Sequence, residues 1–132
     1  MTSPRIGIDT SVLMRLVTGE PQDLYTHCVE ELSHLVERGV GVVVSNQVIG
    51  EAYVTLQHHY GASKVETRAA LFTVFESGLV TPQGEEATLD TLRADGGPGL
   101  VDRLIVEGYQ REGLSTLTLD RRMAALPGAQ RL

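Results

Sequence analysis

"IGIDTSVL", Ile6 to Leu13, sets a short apolar run against an aspartate and two hydroxyls and then turns apolar again. Arg5 to Asp9 reads as a buried strand, and Val12 to Val17 as a brief helix closed by Gly19 and Pro21. A carboxylate at the end of a buried strand has two explanations. Asp9, Thr10 or Ser11 caps the helix that follows, with a side-chain oxygen accepting an orphan backbone N–H. Alternatively, Asp9 faces a cleft and holds a metal. The positions of the other carboxylates bear on the choice.

Further along, strand-like and helix-like stretches alternate. Asp23 to Arg38 is amphipathic, with Leu24, Cys28, Leu32 and Leu35 on one face and Gly39 as its stop. "VGVVVS", Val40 to Ser45, is a continuous β-branched run, which suits a strand buried on both faces of a parallel sheet. Helices are expected over Gln47 to Tyr60 and Lys64 to Glu76, with "GLVT", Gly78 to Thr81, as a short strand before Pro82. Two more helices, Glu85 to Arg93 and Leu100 to Glu112, flank the glycine-rich "DGGPG", Asp95 to Gly99. "STLTL", Ser115 to Leu119, reads as a strand, Arg121 to Leu126 as a short helix, and "AQRL" as a last edge strand. This alternation predicts a three-layer α/β domain around a mostly parallel sheet, with residues 1–132 forming one domain.

Composition narrows the function classes. An apolar fraction of 42% and a charged fraction of 21% are those of an ordinary globule. No apolar run reaches the roughly 18 residues of a membrane span, and no basic segment with an apolar h-region opens the chain, so a cytoplasmic location is expected. Cys28 is the only cysteine, which excludes an internal disulfide and a cysteine-rich zinc site. His27, His34, His58 and His59 lack zinc-ligand spacing; the adjacent His58 and His59 point about 100° apart on a helix. The net charge of −6 looks wrong for a protein that touches nucleic acid. Bound divalent cations on clustered carboxylates would reverse the local sign. Of the 11 basic residues all but Lys64 are arginine, whose planar fork suits phosphate.

In parallel α/β sheets ligands gather outside the carboxyl ends of the strands. Asp9 ends the first strand and Asp120 ends the Ser115 to Leu119 strand, so parallel strands would set both acids on one edge. Glu51, in the second turn of the helix leaving the Val40 to Ser45 strand, sits on the rim of the stripe Val48, Ala52, Tyr53 and Leu56. Asp102 projects between Val106 and Tyr109, inside the apolar arc of Val101, Leu104, Ile105, Val106 and Tyr109. An inward carboxylate is costly unless paired. In the first turn after Gly99, however, Asp102 also suits the helix dipole, and Asp120 suits an N-cap. Four acids gathered on one edge are harder to explain as independent caps, because clustered carboxylates repel unless a metal ion binds them.

The segments "IGIDTSVLMRLVTGEP", "SNQVIGEAYVTLQHHYG", "LVDRLIVEGYQREG" and "LTLDRRMAAL" together resemble the PIN domain, and specifically the VapC-type toxins of type II toxin–antitoxin pairs. Their order, spacing and the chain length all agree, so the resemblance spans essentially the whole chain. It implies an α/β/α fold and an acidic site of Asp9, Glu51, Asp102 and Asp120 that binds Mg²⁺ or Mn²⁺ and cuts RNA, leaving a 5′-phosphate and a 3′-hydroxyl. Ser11 occupies a place where these toxins often carry Asn, Thr or Ser near the metal. Many members have a further acid two residues beyond the position of Asp120; Arg122 stands there in this chain.

Phosphodiester hydrolysis suits such residues, since hard carboxylate oxygens suit Mg²⁺. Asp9, Asp102 and Asp120 are the expected ligands, with Glu51 orienting or deprotonating the attacking water or holding a second ion. Arg15, Arg103, Arg121 and Arg122 are candidates to grip the RNA backbone. The resemblance further implies a VapB-type antitoxin with an arginine reaching the acids, a homodimer, and DNA contacts made by the antitoxin and not by this acidic chain. Two alternatives remain. Haloacid-dehalogenase-type phosphotransfer also begins with an aspartate ending the first strand, but wants a second aspartate where Ser11 stands. A PIN-fold interaction module that has lost its metal site is the other.

Overall fold

The computed structural model describes residues 3–132. Among these the chain forms seven helices and five strands in the order β1 (Arg5–Gly7), α1 (Thr10–Thr18), α2 (Gln22–Glu37), β2 (Gly41–Val44), α3 (Asn46–Tyr60), α4 (Lys64–Glu76), β3 (Thr81–Pro82), α5 (Glu85–Arg93), α6 (Leu100–Arg111), β4 (Thr116–Thr118), α7 (Arg121–Ala124) and β5 (Ala129–Arg131). Helices pack around the strands in a three-layer α/β/α arrangement, as the alternation predicts.

Every described strand pair is parallel. β1 lies beside β2 with Ile6 opposite Val42, β2 beside β3 with Val43 opposite Thr81, and β4 beside β5 with Leu117 opposite Gln130. The sheet comes in two hydrogen-bonded parts, β1-β2-β3 and β4-β5. Asp9 and the start of α3 therefore share the carboxyl edge of one sheet, while Asp120 follows a strand of the other. Strand pairing alone therefore relates the first two positions, since β4, which Asp120 follows, is not hydrogen-bonded to the three-stranded sheet.

Helix boundaries follow from their caps. Asp9 accepts Val12 N at 3.3 Å to open α1, and Ser45 Oγ accepts Val48 N at 3.2 Å to open α3. Ser63 and Glu66 form a reciprocal capping box on α4, which satisfies two orphan donors at once. Gly19 and Gly61, both at φ 68°, close α1 and α3 in the left-handed conformation that glycine tolerates best. The core gathers Leu13, Val44, Ile49, Leu71 and Leu100 from α1, β2, α3, α4 and α6, each at most 1% exposed.

Three expectations need correction. β1 is not a buried strand: all three of its residues are exposed, Ile6 at 47%, because β1 is the terminal strand of its three-stranded sheet. The strand expected over "GLVT" is displaced to Thr81–Pro82, since Gly78, at φ 78°, turns the chain and pairing with β2 begins only at Thr81. Pro82 is tolerated there because β3 is itself an edge strand. On α6 the inward stripe is Leu100, Leu104 and Glu107 with Val106, whereas Val101, Ile105 and Tyr109 are 39%, 43% and 46% exposed. The apolar arc read from the sequence thus divides into a buried face and an open one.

Candidate active site

Asp9, at the mouth of β1, is exposed and accepts the Ser11 hydroxyl at 2.5 Å as well as Val12 N, all through Oδ1. The Ser11 hydrogen bond, aided by Val12 N, holds its carboxyl below the usual range. Glu51 is exposed on α3, and its Oε2 accepts the Thr10 hydroxyl at 2.6 Å. Thr10 follows Asp9 directly, so one hydroxyl joins the β1 edge to the second turn of α3. The link to Glu51 thus runs through the residue next to Asp9.

Asp120 and Asp102 are held differently. Asp120 caps α7, with Oδ1 accepting Arg122 N at 2.8 Å and Met123 N at 3.0 Å. Asp102 is half-buried in the first turn of α6. Between them runs the loop 95–99, whose carbonyls are held from both sides. Arg103 donates from Nε to Pro98 O and from Nη2 to Gly96 O, each at 2.8 Å, and Arg122 Nη2 donates to Gly97 O.

The capping explanation is therefore realised for Asp9 and Asp120, and it does not exclude the other. Each cap uses Oδ1 alone, and Glu51 uses only Oε2. One oxygen of each, and the whole Asp102 carboxylate, has no hydrogen-bond partner among the described residues. That donor set is hard, anionic and accessible, which is the chemistry a divalent cation requires. Among the described residues no three Asp, Glu, His or Cys side chains meet closely enough to share an ion. What the structure shows are two links: Thr10, next to Asp9, bonds Glu51, and Arg122, bonded to Asp120, reaches the loop that enters the helix of Asp102.

The four arginines fare differently. Arg103 and Arg122 are engaged by the loop, and Arg121 is exposed on α7. Arg15, on α1, has a buried Nε with no acceptor. All four histidines are exposed.

Beside Glu51 an open groove of about 930 Å³ runs between α3 and α6. Gly50 and Gly108 line it without side chains, and Val54, Val101, Ile105 and Tyr109 supply apolar walls. Thr10, Glu51 and Glu112 also line it.

One charged residue escaped the sequence reading. Glu107 is 8% exposed and accepts Asn46 Nδ2 at 2.8 Å, Thr88 Oγ1 at 3.3 Å and a bidentate pair from Arg111 at 3.0 Å. Burial pushes its carboxyl up, but the hydrogen bonds from Arg111 and Asn46, with the Arg111 charge and the Thr88 hydroxyl, outweigh it and hold the group below the usual range. A Cβ on Gly84 would collide with this carboxylate and with Thr88 Oγ1, so the network also fixes the start of α5. Its signal was present in the spacing: Glu107 stands seven residues after Leu100 and three after Leu104, on their face, with Arg111 one turn further.

The fold is a parallel three-layer α/β/α domain with carboxylates following its strands and near the starts of its helices. The PIN domain family model matches residues 6–129, and the chain belongs to that family. PIN domains are generally metal-dependent nucleases, and divalent metal binding is typical of them. No curated protein and no solved structure matches the chain significantly. Among the described residues no helix is long and apolar enough to cross a membrane.

Proposed function

We propose that residues 1–132 act as a single PIN domain with metal-dependent endoribonuclease activity, the toxin of a type II toxin–antitoxin pair working in the cytoplasm. The observation that carries the reading is that Asp9, Glu51, Asp102 and Asp120 each keep at least one carboxylate oxygen without a protein partner. Family membership supplies the reaction class.

Asp9, Asp102 and Asp120 would hold Mg²⁺, or Mn²⁺ in its place. When bound, such a cation lowers the pKa of a water and neutralises charge on the phosphoryl group. Glu51 has Oε2 fixed by Thr10, leaving Oε1 to orient the attacking water and take its proton. The water oxygen then bonds to phosphorus as the bond to O3′ breaks. The departing O3′ is protonated, giving a 3′-hydroxyl and a 5′-phosphate. Ser11 keeps Asp9 ionised and oriented, and Arg15 and Arg121 are the arginines best placed to meet the RNA backbone.

A short VapB-type antitoxin would restrain this activity. An arginine of its C-terminal segment makes paired hydrogen bonds to the acids, and apolar flanks lie in the groove beside Glu51. The toxin is a homodimer in this reading, and the antitoxin, not this acidic chain, contacts DNA. The test is brief induction in cells with sequencing of newly formed 5′ ends, alone and with the small open reading frame beside the gene. Recurrent metal-dependent cuts in RNA that the neighbour suppresses are expected. No new ends would remove the ribonuclease reading in favour of an inactive PIN-fold module, and a neighbour without effect would remove the toxin–antitoxin reading alone.

A further inference from the structure

Gly96 and Gly97, at φ 67° and 66°, both adopt the left-handed conformation, and the three consecutive carbonyls of Gly96, Gly97 and Pro98 each meet a guanidinium. Two of those contacts come from Arg103 within α6 itself. The third comes from Arg122, 25 residues further on. Arg122 has a second attachment, since its backbone N donates to Asp120 Oδ1 at 2.8 Å. A single residue therefore bonds the Asp120 cap through its main chain and the loop entering α6 through its side chain. That loop ends at Gly99, the N-cap of α6, and Asp102 lies one turn beyond.

The charge on Arg122 makes this placement informative. Its guanidinium forms no ion pair with Asp102 or Asp120; the side-chain ion pairs of the described residues involve Arg93 and Arg111. Its guanidinium donates to a backbone carbonyl, Gly97 O, and not to a carboxylate, which is the pattern of a side chain that holds the chain in place and not of one that neutralises charge.

We propose that Arg122 is a positioning residue: latched on Gly97 O, it fixes the start of α6, and with it Asp102, relative to Asp120. The inference rests on the metal-site reading above, and concerns how this chain positions two of its expected ligands. Arg103 holds the same loop from within its own helix and cannot substitute, because it does not reach across to α7.

Two variants of the full chain test it from opposite sides. Arg122→Ala removes the latch and its charge, while Gly97→Ala leaves the charge unchanged but strains a left-handed position and sets a Cβ 3.1 Å from Arg103 Nη2. Amide hydrogen exchange is measured without metal across residues 96–103, and Mn²⁺ affinity by electron paramagnetic resonance. Both variants should exchange faster in that segment and bind Mn²⁺ about tenfold more weakly; the global unfolding midpoint should stay unmoved for Arg122→Ala, because Arg122 is exposed, and fall for Gly97→Ala through the backbone strain. A purely electrostatic role predicts the opposite sign for Arg122→Ala, tighter Mn²⁺ binding, and no change for Gly97→Ala. If the wild-type chain binds Mn²⁺ and Arg122→Ala binds it equally well or better, this inference is overturned alone. A wild-type chain that binds no Mn²⁺ overturns it together with the metal-site reading.

Discussion

Thr10 and Glu51, 41 residues apart in the chain, are joined by a 2.6 Å hydrogen bond from the Thr10 hydroxyl to Glu51 Oε2. Glu51 is exposed, so without that bond its side chain would sample several rotamers in water. Thr10→Val keeps the shape and removes the donor. If Glu51 orients the attacking water, kcat should fall about tenfold while KM changes little, the size expected for losing a hydrogen bond to a charged group. Thr10→Ser should restore most of it. An unchanged kcat in Thr10→Val would separate Glu51 from the chemistry.

The buried Glu107 network makes a prediction about stability and pH. A carboxyl whose folded pKa lies below its unfolded value contributes stability that is complete above the unfolded value, about 4.3 for Glu, and is lost as pH falls through the folded one. Glu107 is held low in the folded chain, so unfolding free energy should decline as pH drops below about 5. Glu107→Gln, which still accepts from Asn46, should decline less steeply. At neutral pH, Arg111→Ala should cost about 1–3 kcal/mol, because it strands a largely buried charge. Denaturant titrations between pH 3 and 7 check both; equal acid limbs for Glu107→Gln and wild type would show that Glu107 ionisation is not linked to folding.

Arg15 is the arginine whose bonding is incomplete, with a buried Nε lacking an acceptor among the described residues. Nε is closed to solvent, so a phosphate would meet the terminal guanidinium nitrogens instead. Arg15→Ala should weaken RNA binding about equally across sequences and reduce the salt dependence of binding by roughly one phosphate contact. Filter binding of a catalytically silenced chain over a salt series reads the slope directly. An unaltered slope would take Arg15 out of the RNA contact.

How much of this was legible beforehand depended on the range of the interaction. Helix limits were readable because their causes are local: Ser63 with Glu66 at the start of α4, and glycine at the ends of α1 and α3. Parallel pairing was readable from the β-branched run that became β2. The exposure of β1 was not, because whether a strand terminates its sheet is decided by partners far along the chain. Asp102 was expected inside the apolar arc of α6 and is half-buried, whereas Glu107 occupies the inward face. A helical wheel gives angles; which part of the arc meets α3 and α5 is set by their packing, including the close approach at Gly84. The positions of the four acids were legible in the chain, but what holds them was not, since Thr10 and Arg122 make their links over 41 and 25 residues.

The central claim is that these carboxylates serve a divalent cation that drives RNA cleavage. Its most direct measurement is the cleavage rate of a mixed RNA substrate by purified wild type, Asp9→Asn and Asp102→Asn at matched Mg²⁺, each with and without excess EDTA. Asparagine keeps nearly the same shape while removing ligand charge, so the account predicts a fall of roughly two orders of magnitude or more in each variant, about 3 kcal/mol of lost transition-state stabilisation, with circular dichroism unchanged. Excess EDTA should abolish wild-type cutting and fresh Mg²⁺ restore it. Full activity in Asp9→Asn and Asp102→Asn, or undiminished cutting in EDTA with contaminating nucleases excluded, would contradict it.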